Sequence, residues 1–253
     1  AESADSVSGL CRRKQRRKKR VCAAQRPTTA SVQTWVAAKP NTHMSRLVAL
    51  HTGGSREPWQ SLGLIFENDT CSLADVDLVV SDQAPGLFHW VISGDRDEIV
   101  NIDGISTQLV SAANTRSSDS LIGTQRMTHL DHVVVNTDNL DRTCAAIDAA
   151  LGAEMRRERE VGNGVVQRFH KLENTIIEVV TGPHITTEGA SLWGMVVSVD
   201  DLFELADQVG DQVMSPPKRA TQPGRYISTV RGSVGLGVPF ALMTPHVSGM
   251  STH

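Results

Sequence analysis

From residue 127 onwards the apolar positions of this chain change period in a fixed order. Residues 130–135 are a nearly continuous, β-branched apolar run, which predicts a buried strand. Leu140, Cys144, Ile147 and Leu151 then recur at spacings of four, three and four, the stripe of an amphipathic helix. Asp138 is its predicted N-cap and Gly152 its terminator. Residues 154–161 and 165–172 read as strands joined by Gly162-Asn163-Gly164, a strong hairpin signal, and residues 175–181 as a last strand. The predicted order is strand, helix, strand, strand, strand.

The same order begins again about 62 residues later. His129-Leu130-Asp131-His132-Val133-Val134-Val135 aligns without a gap on Ser191-Leu192-Trp193-Gly194-Met195-Val196-Val197, and residues 178–184 resemble residues 241–246. In the second copy Leu202, Leu205, Ala206 and Val209 mark the helix and Gly210 its end. Strands are expected near residues 212–214, 225–231 and 238–244, with Pro216-Pro217 and residues 232–237 as loops. The glycines of that last loop precede a strand instead of opening a helix, so they are no phosphate loop. A duplicated unit of this size predicts two packed modules with a cleft between them.

Residues 44–110 carry shorter signals: strands at 46–51, 76–80, 87–92 and 105–110, turns at Gly53-Gly54 and Asp103-Gly104, and a short helix near 58–62. They read as a small α+β segment, a diverged relative of the later modules. Residues 111–126 are polar, rich in Ser and Thr, and read as a linker.

Charge separates the first residues from the rest. The chain has a formal net charge of −3, yet residues 1–43 hold ten Lys/Arg and two Asp/Glu, leaving 15 basic and 26 acidic residues beyond them. Residues 12–20 are a basic block with nothing to bury. They read as a disordered leader: a solvated tail, a stretch upstream of a start at Met44, or a nucleic-acid-contacting or import arm. Beyond it no nucleic-acid partner is expected. Cys11, Cys22, Cys71 and Cys144 have no zinc-site spacing, and no run is apolar for long enough to span a membrane. A cytoplasmic protein is expected.

Two tandem βαβββ units, the first opening on Leu130-Asp131-His132-Val133-Val134-Val135 and closing on Ile177-Glu178-Val179-Val180, resemble the vicinal oxygen chelate superfamily of glyoxalase-like proteins. The resemblance covers residues 127–246. It implies an α+β fold in which tandem modules curl into a cupped mixed sheet. It also implies a divalent metal (Zn, Mn, Fe, Co or Ni) held by residues of the first and last strands. His132 and Glu178 match two such positions, Glu178 being also the candidate catalytic group. His170 is the candidate third ligand, if it points inward. Gly194 and Ala241 fill the equivalent positions of the second module and cannot ligate. Trp193, Arg168, Arg225 and Tyr226 are candidate cavity residues; the two arginines would attract an anionic substrate or else sit on outer strand faces. Asp131 is expected to point away from His132, because strand residues alternate. No Ser-His-Asp or Cys-His nucleophile arrangement is recognisable.

Three functions follow from the resemblance: a small-molecule enzyme of lyase, isomerase or dioxygenase type, a metal-free small-molecule-binding protein, or a degenerate regulatory module. A homodimer is compatible with each.

Overall fold

The computed structural model describes residues 44–111 and 127–246. The basic leader, most of the linker, Cys11 and Cys22 lie outside the described residues. The N-terminal segment contains β1 (Arg46–Gly53), α1 (Glu57–Gln60), β2 (Thr70–Leu73), β3 (Val76–Ser81), β4 (Leu87–Gly94), β5 (Glu98–Ile102) and β6 (Ile105–Ser111). The first repeat gives β7 (Met127–Thr137), α2 (Leu140–Leu151), β8 (Met155–Gly162), β9 (Val165–Lys171) and β10 (Ile176–Thr181). The second gives β11 (Ala190–Val199), α3 (Leu202–Val209), β12 (Lys218–Arg219), β13 (Tyr226–Thr229) and β14 (Phe240–Met243).

The repeats form one eight-stranded sheet, ordered β12-β13-β14-β11-β7-β10-β9-β8. Its centre is the antiparallel pair β7/β11, flanked by the parallel pairs β7/β10 and β11/β14. A local two-fold relates the halves: the pair His132/Val196 has its counterpart in Gly194/Val134. The sequence offset is therefore also the structural equivalence. The N-terminal strands form a six-stranded sheet, β2-β3-β1-β4-β6-β5, wired in the same way. β1 and β4 are the antiparallel centre, and β3 and β6 are their parallel partners. Each half lacks the outermost strand, and the second half goes from β4 to β5 without a helix. The N-terminal segment is thus itself a pair of shortened modules.

Local chemistry fixes the elements. α2 is capped by Asn139, whose side-chain oxygen accepts the Arg142 N–H at 3.0 Å. Asp138, the expected cap, instead accepts the Gly189 N–H and pairs with Arg142. Gly152 ends α2 at φ 63, a left-handed conformation natural to glycine. The β8–β9 hairpin turns on Asn163 (φ 52) and Gly164 (φ 74), both positive as a two-residue turn of matching twist requires. The strand expected at 212–214 is reduced to one bridge, Met214 to Val230; the outer strand forms four residues later at Lys218-Arg219.

One apolar core runs through both sheets, with Trp59, Trp90, Leu130, Ile147, Ile177 and Phe240 essentially inaccessible. Each such side chain contributes about 1.5–3 kcal/mol by leaving water. α2 packs on both β10 and β5, so one helix serves two sheets. Polar contacts fix the docking. Asn174 exchanges two hydrogen bonds with the Leu47 backbone, 3.0 and 2.9 Å, and Asp103 accepts from Arg142 Nε at 2.6 Å and from the Thr143 hydroxyl. Trp59 of α1 meets Phe240 of β14 edge to face, centroids 5.2 Å apart.

Candidate functional site

The face of the eight-stranded sheet turned away from α2 encloses a cavity of about 700 Å³. Register decides which side chains reach it, because directly opposed residues share a face. Glu178 opposes Phe169, Val180 opposes Gln167, and Gln167 opposes Arg159, and all of these line the cavity. Ile176 stands beside His132 and Glu178 beside Val134, which brings His132 to the same floor.

A continuous polar chain results. Arg159 Nε donates to Gln167 Oε1 at 3.0 Å, and Gln167 Nε2 donates to Glu178 Oε1. Glu178 Oε2 lies 3.2 Å from His132 Nε2, and His132 Nδ1 lies 2.8 Å from Asp131 Oδ1. Arg225 Nη2 closes the chain on Asp131 Oδ2 at 2.5 Å, with Ser198 Oγ bonded to both. The two carboxylates around His132 are driven in opposite directions. Burial pushes the Glu178 carboxyl up, against the pull of His132 and Arg159. Burial acts the same way on Asp131, but the hydrogen bonds from His132 and Arg225 outweigh it and hold Asp131 well below the usual carboxylate range. An ionised Asp131 accepts from His132 Nδ1–H, which turns Nε2 towards Glu178 Oε2.

Asp131 meets His132, although alternation predicts otherwise, because the β7/β11 register shifts there. Leu130 opposes Val197 and His132 opposes Val196, leaving Asp131 as an extra bulged residue. The second module repeats the bulge: Leu192 opposes Val135, Gly194 opposes Val134, and Trp193 is the extra residue. In one copy the bulge seats a buried carboxylate, and in the other it turns a half-exposed indole to the cavity.

The second module contributes an apolar wall of Val196, Ala241 and Met243 and a polar rim of Lys218, Arg219, Thr221 and Gln222. Gly194 is closed as well as bare, since a Cβ there would lie 2.6 Å from the Pro239 carbonyl oxygen. These donors do not make a complete metal site within the chain. His132 and Glu178 are adjacent, but Gln167 turns its amide N–H₂ to Glu178 and its oxygen to Arg159. Asp131 is matched to Arg225, and Ala241 offers no donor. No group of three His, Cys, Asp or Glu suited to a cation exists among the described residues, and three or four protein ligands are usual.

Three of the other candidates lie elsewhere, as does the proposed third ligand. His170 opposes Ile177 on the helix side, fully buried, with Nδ1 2.6 Å from the Ala153 carbonyl and 3.1 Å from Asp148. Arg168 is also on that side, paired with Glu158 and Asp141 at 2.6 Å each. Arg225 is buried beneath His132, not exposed to the cavity, and Tyr226 packs edge to face on Phe203. Trp193 lines the cavity. Gln167, Arg159, His184, Lys218 and Arg219 also line it but were not singled out in the sequence. Once Glu178 faces the cup, the hairpin register places Gln167 and Arg159 there too.

No family model and no curated protein matches the chain. Among solved structures it resembles a triple mutant of 4-hydroxymandelate synthase from Streptomyces coelicolor, with a TM-score of 0.58 and 15% identity, over 83% of this chain and 95% of that one. The repeats occupy less than half of the sequence, so this match includes the N-terminal sheet. It also resembles methylmalonyl-CoA epimerase from Mycobacterium tuberculosis, at 18% identity and a TM-score of 0.43, over 52% of this chain and 97% of that one. Wiring and comparison agree: the chain has the paired βαβββ fold of the vicinal oxygen chelate superfamily.

Proposed function

We propose that the chain is a small-molecule enzyme of isomerase or lyase type that moves a proton at a carbon next to a carbonyl group, with Glu178 as the base. The observation that carries this reading is the buried Glu178–His132 pair on the cavity floor, 3.2 Å apart, with Asp131 fixing the imidazole. Burial raises the proton affinity of Glu178 towards the range useful to a general base at neutral pH. Glu178 takes the proton from carbon, the C–H electron pair moves into the carbonyl, and the new oxyanion is met by Arg159, which has no carboxylate within ion-pair distance among the described residues. Glu178 keeps that proton on the cavity floor, its carboxyl positioned by His132, until the proton returns to carbon or to a leaving group. Dioxygen chemistry would need a redox metal that these donors do not complete within one chain.

The test is proton exchange in deuterium oxide, followed by NMR, using small carboxylates with an acidic C–H beside a carbonyl, 2-oxobutanoate being the simplest. Exchange by the wild type that is lost in Glu178→Gln is expected. Binding of these compounds without exchange would replace the reading with a metal-free binding protein, a role for which the apolar second wall is suited.

A further inference from the structure

The eight-stranded sheet ends at β8 on one side and β12 on the other, and cationic residues of both edge strands line the same cavity: Arg159 from β8, Lys218 and Arg219 from β12. Glu178 is the one carboxylate among the lining residues. Several arginines elsewhere are matched: Arg142 to Asp103 and Asp138, Arg168 to Asp141 and Glu158, and Arg225 to Asp131. Among the described residues no carboxylate lies within ion-pair distance of Arg159, Lys218 or Arg219, and Arg159 acts on Glu178 only from a distance. Arg159 is hydrogen-bonded to Gln167 and lies over the face of Phe169, 5.5 Å from its centroid. Three cations face a single carboxylate around one cavity, in a chain that is otherwise acidic beyond residue 43. A bound anion offsets that excess of positive charge. Their placement at opposite edges of the curled sheet, with an apolar wall of Val196, Ala241 and Met243 between, calls for separated charges on one ligand.

We infer that the cavity takes a small molecule with two anionic ends, carboxylate or phosphate, one met by Arg159 and the other by Lys218 and Arg219, and a short apolar body lying on the second module. This specifies the substrate class of the proton-transfer site and rests on that site being the functional one. Calorimetric titration of the full chain tests it, with glutarate and adipate against butyrate and hexanoate, and with 3-phosphoglycerate as the phosphate-ended probe. A two-ended probe is expected to bind at least about tenfold more tightly than the matched monoacid, some 1.4 kcal/mol. The double variant Lys218→Gln/Arg219→Gln brings that ratio close to one. Arg156→Gln, an equal loss of charge at an exposed residue paired with Glu154, leaves it unchanged. A preference for 3-phosphoglycerate over the diacids that is lost in the Lys218→Gln/Arg219→Gln variant assigns the β12 end to phosphate, and a preference for the diacids assigns both ends to carboxylate. Equal affinity for diacids and monoacids, a ratio that survives the double variant, or no binding by any probe overturns the inference. Binding is read without turnover, so the two readings fail separately. Diacid selectivity without proton exchange sinks the catalytic reading alone, and exchange of monoacids bound as tightly as diacids sinks only this one.

Discussion

Where the first module places His132 the second has Gly194, and where the first places Glu178 the second has Ala241, on strands of the same wiring and the same bulge. The first module offers an acid–base pair, an amide and a guanidinium, while the second offers methyl, thioether and indole groups and a cationic rim. The backbone plan is held by the buried face, where Val133, Val135, Ile177 and Val179 correspond to Met195, Val197, Phe240 and Leu242. The cavity face can therefore diverge in one copy without disturbing the sheet.

The contrast is broken most severely by removing the base. Glu178→Gln, which keeps the shape and a hydrogen bond to His132, should reduce proton exchange by about 10²–10⁴-fold, as loss of general base catalysis does. Its urea midpoint should remain near that of the wild type. Arg225→Met attacks the link between the modules, leaving Asp131 buried without its counter-charge. A loss of about 3–5 kcal/mol is expected from urea unfolding, with much of it recovered in the double variant Asp131→Asn/Arg225→Met. Ala241→Glu sharpens the comparison by giving the second module a donor opposite Glu178. Elemental analysis should find about one retained zinc or manganese in that variant and a substoichiometric amount in the wild type, since three protein ligands are the usual minimum. Stoichiometric metal in the wild type, lost in His132→Ala, would overturn this account of the donors.

The smallest effect is a pH dependence of mixed sign. The raised pKa of Glu178 means that the folded chain takes up its proton more readily than the unfolded one. Its contribution therefore grows as pH falls through the folded value and levels off below the unfolded value of about 4.3. Asp131, depressed by His132 and Arg225, adds stability that is fully present above its unfolded pKa of about 3.9 and is lost as pH falls towards its folded value. Wild type minus Glu178→Gln, measured by urea midpoints, should rise on acidification from pH 7 to about 4.3. A flat difference would show that Glu178 is not shifted.

The repeat was legible because apolar period and offset survive divergence, and the same offset maps one paired register onto the other. Side-chain phase was not legible at β9, whose intermediate and charged residues give no clean inside–outside alternation. His170 was consequently proposed for a face that belongs to Gln167 and Phe169. Asp131 failed for another reason: a bulge adds one residue, and nothing in an apolar run marks which residue is extra. The short β12 eluded the reading because two consecutive prolines conceal a strand of only two residues behind a loop signal. Arg225 carried the right charge for a cavity residue but lies a layer below it, a distinction made by tertiary packing and not by composition.

Arg225 has a consequence for inheritance. It belongs to the second module, and the carboxylate it neutralises belongs to the first. A recombination event that exchanged either βαβββ unit for a foreign one would strand a charge in the interior of the hybrid, whatever the quality of its new apolar contacts. The two units can diverge freely on their cavity faces, but they must be transmitted as a pair.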